Sequence, residues 1–409
     1  MKQSAYIAGV GVTRFGKHID RSLSNIAHEA ITGAVKDAGI DLGDIQAVWS
    51  GNAAAPLTTG QLCIAGQAVL RGLGVGRIPV VNVENACATA STAFQQAATM
   101  ITLGAYDVVL AFGMDKLYHP DKKRVFSVFE GCADVEQPQV LESFLIQDGP
   151  RLEGAGQTRS VFMDIYARLA RDYMTASGAT AADFAAVSAK NSVHGSLNPN
   201  SQFQSVVSVQ EVLASAPIVA PLTLMMCSPI ADGAAAAILM SAKAARRFGI
   251  RRPVRVRSSV LASGFDYKPD DPKLTSWVAE QAYSYAEVEP KDLSCVELHD
   301  ATSPAELIYY EALGLCQPGE GLSLLRDGHT RLGGRIPVNT SGGLVRKGHP
   351  IGATGLAQIH ELTLQLRDDA GPRQVAGARL GLAENGGGFL GTDSAAIVVT
   401  VLAREDAPG

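Results

Sequence analysis

Two segments of this chain resemble each other, and their order constrains the fold more than any other feature. The run DGAAAAIL begins at Asp232, and a similar run, DSAAIVV, begins at Asp393. Each half also contains a strand, a polar residue and a helix in succession, around Cys87 in the first half and around His299 in the second. Two such similarities, in the same order along the chain, predict duplication of a βαβαβ unit. Such a duplication would bring the equivalent strand ends toward one central site.

Alternating strand and helix patterns extend through both halves. Buried strands are predicted at residues 79–83 and 107–113, and a further strand at residues 376–383. Helices are predicted at residues 24–39 and 161–177, where apolar residues recur at helical spacing. This alternation predicts an α/β layered fold with a largely parallel sheet.

The domain organisation follows from where this alternation stops and resumes. Residues 1–250 form the predicted first half and residues 251–409 the second. From about residue 116 to 210 the alternation gives way to charge clusters, several phenylalanines and an amphipathic helix. We therefore predict a loop domain inserted into the first half.

The composition excludes several classes of protein. The chain has 409 residues and a net charge of −5 without a basic block, which argues against nucleic-acid binding. None of its apolar runs approaches the roughly 20 residues that span a membrane. Its six cysteines are scattered without a CxxC pair, so neither a disulfide framework nor a bound metal is expected. These features predict a cytoplasmic protein.

Cys87 lies in the segment NVENACATASTAF, where an apolar strand ends and an alanine-rich helix begins. At a helix N-terminus the dipole favours thiolate over thiol, and small neighbours leave room for a substrate carbonyl. The alternative is a buried structural cysteine in an alanine-rich helix. Cys87 is thus a candidate nucleophile whose role depends on the rest of the chain.

Two histidines occupy positions that suit acid–base chemistry. His349 lies in the glycine-rich segment NTSGGLVRKGHPIGATG, directly before Pro350, which restricts its backbone. A histidine fixed in such a loop is a candidate general base, with bracing of the loop as the alternative. His299, in ELHDATSPAE, ends a strand and precedes a helix, so it is a third candidate polar group or part of a helix N-cap region.

A glycine-rich segment near the C-terminus, ENGGGFLG, begins at Glu384. Consecutive glycine N–H groups after a strand can form a backbone oxyanion hole. Asn385, Gly386 and Gly387 are therefore the candidate oxyanion-hole residues, with a flexible turn as the simpler alternative.

The segments ENAC, HDATSPAELIYYEALGL and NTSGGLVRKGHPIGATG together resemble the thiolase superfamily, in particular the sterol-carrier-protein-type thiolases and their bacterial and archaeal relatives. The resemblance covers nearly the whole chain. It implies a thiolase fold of duplicated αβαβα layers, a loop domain over the active site, a homodimer, and CoA thioester substrates with coenzyme A as co-substrate. Some relatives of this type work with a small partner that carries a zinc ribbon and an OB-fold, so the resemblance implies such a partner as well.

The same resemblance assigns roles to the candidate residues. Cys87 is the acyl-accepting nucleophile, and His349 takes its proton. The N–H of Cys87 and a glycine near Gly387 form one oxyanion hole. His349, with a water or side chain held by His299, forms the other.

The chain departs from the thiolase pattern where those enzymes carry a second cysteine, the acid and base at the substrate α-carbon. That cysteine lies in a C-terminal Cys-x-Gly or in His-Asp-Cys-Phe, whereas the segments here read ENGG from Glu384 and HDAT from His299. The α-carbon proton is then left to His299, His349, a water, Glu384 or Asn385.

Three reactions follow from these residues. The predicted function is thiolytic cleavage, or Claisen formation, of a β-ketoacyl-CoA through an acyl-cysteine at Cys87. A retro-aldolase acting on a β-hydroxyacyl-CoA and a decarboxylating Claisen condensing enzyme are the alternatives, and neither needs a second cysteine. A non-enzymatic scaffold is disfavoured because nucleophile, base and glycine segment are all present.

The inserted region contains the residues that would shape the substrate site. Its aromatic residues predict a bulky or aromatic acyl group, unless they form the core of the loop domain: Phe126, Phe129, Phe144, Phe162 and Tyr166. Its basic residues are candidate contacts for coenzyme A: Lys122, Lys123, Arg124, Arg151 and Arg159.

Overall fold

The computed structural model describes residues 2–146, 153–268 and 271–405. Within these ranges the strands are β1 (Tyr6–Val12), β2 (Ala47–Gly51), β3 (Val80–Val83), β4 (Val108–Lys116), β5 (Pro217–Val219), β6 (Leu222–Thr223), β7 (Asp232–Met240), β8 (Val254–Ser263), β9 (Cys295–Glu297), β10 (Leu380–Gly387) and β11 (Ala396–Arg404). The α-helices are α1 (Leu23–Ala38), α2 (Ala55–Thr58), α3 (Ala65–Gly72), α4 (Thr89–Thr102), α5 (Lys122–Glu130), α6 (Pro138–Ile146), α7 (Val161–Ser177), α8 (Ala181–Ser196), α9 (Val209–Ala214), α10 (Ala242–Arg247), α11 (Leu274–Ala286), α12 (Ser303–Ala312), α13 (Gly321–Arg326), α14 (Gly343–Lys347) and α15 (Thr354–Arg367).

Local signals account for the well-predicted helices. Ser22 caps α1 by accepting a hydrogen bond from the Asn25 N–H, and Gly39 ends the helix in a left-handed conformation with φ of 64°. The apolar residues of α1 recur at helical spacing and form one buried stripe. Helix α7 likewise fills the predicted span, because Ser160 caps an amphipathic run.

A nine-stranded mixed sheet runs through both halves, in the order β3-β2-β4-β7-β1-β8-β11-β10-β9. Strand β2 is parallel to β3 and β4, and β9 is parallel to β10, whereas the other neighbours are antiparallel. The prediction of a largely parallel sheet is therefore wrong. The repeated strands β7 and β11 run against both of their neighbours, and a hydrophobic pattern carries no information on strand direction.

The two halves of the sheet repeat one order of strands. Strands β1 and β8 are neighbours where the two halves meet. Moving outward from β1, the first half continues with β7, β4, β2 and β3. Moving outward from β8, the second half continues with β11, β10 and β9. Val338 completes the repeat, since it bridges in parallel to Val296 of β9 as β3 pairs with β2. The division of the chain after residue 250 stays a prediction.

This order corrects the predicted equivalence between site residues. Helix α4, which follows Cys87, leads from β3 to β4, and α15, which follows His349, leads from the segment of Val338 to β10. Cys87 is therefore equivalent to His349 and not to His299, which follows β9 as Asn52 follows β2. The sequence does not reveal this equivalence, because the second half has only a single bridge, at Val338, where the first half has strand β3.

The layers alternate α, β, α, β and α across both halves together. Helices α4 and α15 lie in the middle and share one apolar core with strands of both halves. Helix α1 packs on the outer face of the first half, and α11 on that of the second. The two helices that follow Cys87 and His349 are thus neighbours, which brings their N-termini together.

Helices α5 to α9 lie between β4 and β7, in the part of the chain where we predict the inserted region. Its helices α7 and α8 share a core with α11, α12 and β11, represented by Ala170, Phe184 and Val399. It therefore packs firmly on the second half of the chain.

Strand β3 lies at an edge of the sheet, and Val81 is 40% exposed. The prediction of a buried strand at residues 79–83 is wrong, because an edge strand has a neighbour on one side only. Among the described residues, no helix combines the length and the apolar character needed to cross a membrane.

Candidate active site

Cys87 lies in the middle of a 3₁₀ turn, Ala86–Ala88, that connects β3 to α4. The residue before it, Ala86, has a positive φ of 48°, which is unusual for an alanine and marks a constrained backbone. The Asn85 N–H donates to Thr89 Oγ1 at 2.8 Å and ties the turn to the first residue of the helix. The sharp turn presents the thiol of Cys87 to a cavity.

His349 lies in the loop between α14 and α15. Its Nδ1 is 2.7 Å from Thr354 Oγ1, and that hydroxyl donates its own proton to the Pro350 carbonyl at 3.0 Å. The hydroxyl must therefore accept from the imidazole, so Nδ1 of His349 carries the proton. Nε2 is left as a proton acceptor, as the predicted general base requires.

His299 follows β9 and has the opposite tautomer. The Asn385 amide donates to Nδ1 of His299 at 2.7 Å, while its oxygen accepts from the Ser91 hydroxyl at 2.7 Å. Nδ1 is thus an acceptor, and Nε2 carries the proton. His299 offers an N–H donor, whereas His349 offers a lone pair.

The structure brings the three predicted polar residues together. Sγ of Cys87 and one ring nitrogen each of His299 and His349 all lie within 4.8 Å of one another. The two imidazoles meet edge to face, with centroids 5.0 Å apart and planes at 87°. All three side chains are buried and line the same cavity.

Burial determines the protonation states of Cys87, His299 and His349, which together form a triad. It raises the pKa of the Cys87 thiol well above its ordinary value, and nearby Cys132 and Asp115 add to the effect. Burial also lowers the pKa of His299 to about 3 and that of His349 well below its usual range. Desolvation of the charge thus opposes the thiolate that the helix dipole was predicted to favour. At neutral pH these shifts favour a neutral thiol and neutral imidazoles.

The glycine segment is the end of a strand rather than the predicted turn. Residues 384–387 pair with β11, and the predicted strand at 376–383 ends too early for that reason. At Gly387 a Cβ would lie 2.2 Å from the Asn85 carbonyl oxygen and 2.5 Å from the Ala88 nitrogen. Only glycine lets this strand end touch the turn of Cys87.

The three predicted oxyanion-hole residues therefore occupy different places. Gly386 and Gly387 line the cavity beside Cys87. Asn385 is buried, and its side chain orients His299. Their role in holding an oxyanion remains a prediction.

Asp115 is a positioning residue that sequence reasoning missed. It is fully buried at the end of β4, where it accepts from the Asn52 amide at 2.9 Å, from the Ala54 N–H at 2.8 Å and from the Gly352 N–H. Burial raises the pKa of Asp115 to about 7, opposed by these backbone donors. Since Gly352 belongs to the loop of His349, Asp115 links that loop to the first half of the chain. An aspartate that ends a long apolar run is the only signal in the sequence.

A second buried group links the loops of the two histidines. Asp300, directly after His299, accepts from the Leu344 N–H at 2.6 Å at the start of α14. Glu297 of β9 accepts from the Ser341 N–H at 3.0 Å and pairs with Lys347 at 3.4 Å. These contacts fix the segment that leads into His349, from Ser341 to Lys347.

The cavity has a volume of about 460 Å³ and lies between the triad and the inserted region. Aromatic side chains form much of its wall: Tyr118, Phe126, Phe129, Phe162, Tyr166 and Phe203. Of the predicted coenzyme A contacts, Lys122 and Arg159 line it, Lys123 and Arg124 are not among its described lining residues, and Arg151 lies outside the described residues.

Comparison with known families agrees with these observations. The family "Thiolase, N-terminal domain" matches residues 5–216, and "Thiolase C-terminal domain-like" matches residues 271–400. The chain belongs to the thiolase family. The predicted thiolase fold, with its SCP-x-like relatives, is confirmed, and so is the prediction of an acyltransferase enzyme.

Curated relatives of this thiolase span nearly its whole length. It is 37% identical to an acetyl-CoA acetyltransferase from Methanothermobacter thermautotrophicus, over 94% of this chain and 97% of that one. It is 36% identical to benzoylsuccinyl-CoA thiolase subunit BbsB from Thauera aromatica, over 92% of each chain. Human sterol carrier protein 2 is 34% identical, over 96% of this chain and 71% of that one.

Solved structures share the fold. The Ltp2-ChsH2(DUF35) aldolase superposes with a TM-score of 0.79 at 24% identity and covers 98% of both chains. A monomeric SCP2-thiolase-like protein from Mycobacterium smegmatis superposes with a TM-score of 0.69 at 20% identity, over 98% of this chain and 78% of that one. At these identities the likeness concerns the fold of the thiolase.

Proposed function

We propose that this thiolase-family acyltransferase cleaves, or forms, a β-ketoacyl-CoA through an acyl-cysteine at Cys87. The observation that carries the proposal is the pair of histidines around the thiol, one with a free lone pair and one with a free N–H. In the cleavage direction the Cys87 thiol attacks the β-carbonyl carbon while its proton passes to Nε2 of His349. The developing oxyanion accepts a hydrogen bond from Nε2–H of His299.

The second cysteine of other thiolases has no counterpart at Ala301, Glu384 or Asn385, so His349 takes its role in this proposal. When the bond between the α- and β-carbons breaks, its electron pair moves to the α-carbon, and the His349 imidazolium protonates that carbon. The products are an acyl-CoA and an acyl-Cys87 thioester. Free coenzyme A then transfers its thiol proton to His349, attacks the thioester and releases a second acyl-CoA, and the proton returns to Cys87.

The charge of the cavity supports a CoA thioester as substrate. Lys17, Lys122 and Arg159 line it, with Arg159 paired to Asp164, and no acidic residue is found among its described lining residues. The negatively charged phosphates of coenzyme A are attracted to a cavity that is lined by positive side chains. The apolar and aromatic wall beyond it suits the acyl chain.

The same wall supports a bulky or aromatic acyl group. Phe126, Phe129 and Phe162 line the same cavity as Cys87 and Tyr166. The relative from Thauera aromatica is named for a benzoylsuccinyl-CoA substrate. We infer that aryl-bearing β-ketoacyl-CoA esters are cleaved faster than acetoacetyl-CoA.

A panel of β-ketoacyl-CoA esters, assayed for thiolysis with free coenzyme A, tests the proposal. Intact-protein and peptide mass spectrometry should find an acyl adduct on Cys87, and Cys87→Ser should lose both the adduct and the activity. Cys316→Ser, a change remote from the cavity, is the matched control. Thiolysis that persists in Cys87→Ser overturns the proposal.

Product analysis separates the two alternative reactions. A retro-aldolase releases an aldehyde or ketone from a β-hydroxyacyl-CoA without consuming coenzyme A, and it forms no adduct on Cys87. A decarboxylating condensing enzyme requires a malonyl thioester and releases carbon dioxide. Either pattern, in place of thiolysis, would replace the proposed reaction.

We also propose a homodimer that pairs across β3. This strand is a sheet edge, and apolar side chains beside it are exposed: Leu62 by 75%, Ile64 by 61% and Val81 by 40%. An open edge of this kind favours pairing with a second chain. Light scattering should show two chains per particle, and Val81→Lys should give monomers.

A small zinc-ribbon and OB-fold partner remains part of the proposal. Its support is indirect: one relative is named as a subunit, and one structural neighbour is named as a complex with a DUF35 protein. Size-exclusion chromatography of the native complex tests it. We also propose a cytoplasmic location, because none of the six cysteines forms a disulfide.

A further inference from the structure

We propose that Cys87, His299 and His349 form a binding site for Zn²⁺, in which a bound ion switches the enzyme off. The binding site rests on the geometry of these side chains, and only the loss of activity rests on the proposed reaction. Their donor atoms lie within 4.8 Å of one another, and all three residues line the cavity. The ligands come from three distant parts of the chain, so no spacing motif in the sequence reveals them.

The donor set suits zinc. Thiolate sulfur and imidazole nitrogen are its preferred ligands, and three protein ligands plus a water in the fourth position is a common arrangement. Tetrahedral bonds of about 2.0–2.3 Å place ligand atoms about 3.3–3.8 Å apart. Since no pair here is more than 4.8 Å apart, each pair must close by at most about 1.5 Å, which rotation of the side chains into the open cavity allows. The cavity also provides the entry path.

The surroundings of His349 already match those of a metal ligand. Its Nδ1–H donates to Thr354 Oγ1, which fixes the ring and leaves Nε2 as a lone-pair donor. A metal-bound histidine usually donates its other N–H in this way. Binding replaces the thiol proton of Cys87 with the metal and releases that proton to solvent.

His299 needs one rearrangement, and Asn385 provides it. In the metal-free site the amide donates to Nδ1 and the proton sits on Nε2. If the amide turns over, its oxygen accepts from Nδ1–H and its nitrogen donates to the Ser91 hydroxyl. The same two contacts persist with donor and acceptor exchanged, and Nε2 is freed for zinc. The orientation of Asn385 thus selects between the catalytic and the metal-binding tautomer.

Direct metal binding tests this inference on the full-length protein. Equilibrium dialysis should give one Zn²⁺ per chain, and Co²⁺ should produce four-coordinate visible bands with a thiolate charge-transfer band in the near ultraviolet. Cys87→Ser should lose that band, and His299→Asn and His349→Asn should lose the bound metal. Cys316→Ser and His119→Gln should keep both, since neither residue belongs to the site.

Substitutions at Asn385 test the proposed selection. Asn385→Asp holds a proton on Nδ1 and should tighten zinc binding, whereas Asn385→Ala should weaken it about 10- to 100-fold. Equal affinities in these two variants would overturn the role of the amide.

A readout on the unaltered protein does not depend on whether a variant folds. Zn²⁺ should protect Cys87 from alkylation by iodoacetamide, as judged from its peptide by mass spectrometry, and Mg²⁺ should not. Full alkylation at saturating Zn²⁺, or metal stoichiometry unchanged in Cys87→Ser, sinks the site. None of these readouts uses turnover, so an inactive enzyme that binds zinc would count against the proposed reaction alone.

Discussion

The Asn385 amide donates a hydrogen bond of 2.7 Å to Nδ1 of His299 and thereby places the imidazole proton on Nε2. Within the same cluster, Thr354 places the proton of His349 on Nδ1. Two histidines whose rings touch are therefore held in opposite tautomers by neighbours from different strands and helices. One can give a hydrogen bond to an oxyanion while the other takes a proton from the thiol.

Asn385→Asp should reverse the tautomer of His299. A carboxylate accepts from Nδ1–H, so Nε2 loses its proton and the oxyanion loses a donor. We expect kcat in an alkaline buffer to fall by about 10²–10³, the usual effect of removing such a donor. Asn385→Leu, which is of similar size and imposes no tautomer, should fall less. A kcat unchanged in Asn385→Asp would show that His299 gives no hydrogen bond to the reacting group.

Thr354→Val should impair the general base. The variant removes the acceptor of the His349 Nδ1–H, which leaves a buried donor unsatisfied and the ring free to reorient. We expect about a tenfold loss of kcat, the equivalent of one neutral buried hydrogen bond. Thr354→Ser keeps the hydroxyl and should retain most of the activity. Equal activity in the two variants would contradict the assignment.

Alkylation of Cys87 should remain slow at neutral pH. Burial raises the pKa of this thiol, so the thiolate fraction should still be rising above about pH 10.5, where a thiol with an ordinary pKa of about 8.5 has levelled off. Peptide mass spectrometry with iodoacetamide gives the rate constant at each pH, and exposed Cys63 confirms that reagent is present. A plateau below pH 7 would indicate a preformed thiolate.

Glu384→Gln should stabilise the protein at alkaline pH. Burial raises the pKa of Glu384 to about 8 from an ordinary value of 4.5, so its folded form holds a proton that the unfolded chain has lost. Such a group contributes stability below pH 4.5 that is lost as pH rises toward 8. The variant still offers a side-chain oxygen to the backbone N–H of His299, which donates to Glu384 at 2.9 Å.

The measurement is the difference in Tm between Glu384→Gln and the parent protein across that pH range. The difference should grow in favour of the variant from pH 4.5 to 8 and then stay constant. A difference independent of pH would mean that Glu384 is ionised throughout the range.

Gly387→Ala should disrupt the turn of Cys87. The added methyl would overlap the backbone of Asn85 and Ala88, which cannot move aside as a side chain can. We expect a loss of about 1–3 kcal/mol in the free energy of unfolding and a larger proportional loss of activity. Gly76→Ala, where a Cβ meets nothing within 4 Å, is the control and should change neither.

The contrast between α7 and β10 shows what sequence patterns could predict. Helix α7 carries its own cap and its own amphipathic stripe, so residues 161–177 were predicted to the residue. Strand β10 ends in glycines that locally favour a turn, yet pairing with β11 keeps them extended. Strand direction and the edge position of β3 escaped prediction for the same reason: both depend on neighbours distant in sequence.

The candidate site likewise contains residues that sequence patterns could predict and residues that they could not. Cys87 and His349 stood out because each lies at a strand or loop end beside small residues, where a reactive group is accessible. Asp115 and Thr354 did not stand out, since their effect is exerted through hydrogen bonds to other segments. The equivalence of Cys87 and His349 was likewise invisible until the order of strands was known.

The sequence by itself determined the chemical groups of this thiolase and the duplicated frame that carries them. It also determined that neither the segment of His299 nor that of Glu384 contains a second cysteine. Only the tertiary structure decided the charge of the Cys87 thiol and the tautomers of His299 and His349. The physical reason is that a pKa and a tautomer depend on burial and on hydrogen-bond partners, and here those partners come from separate strands and helices that only the fold brings together.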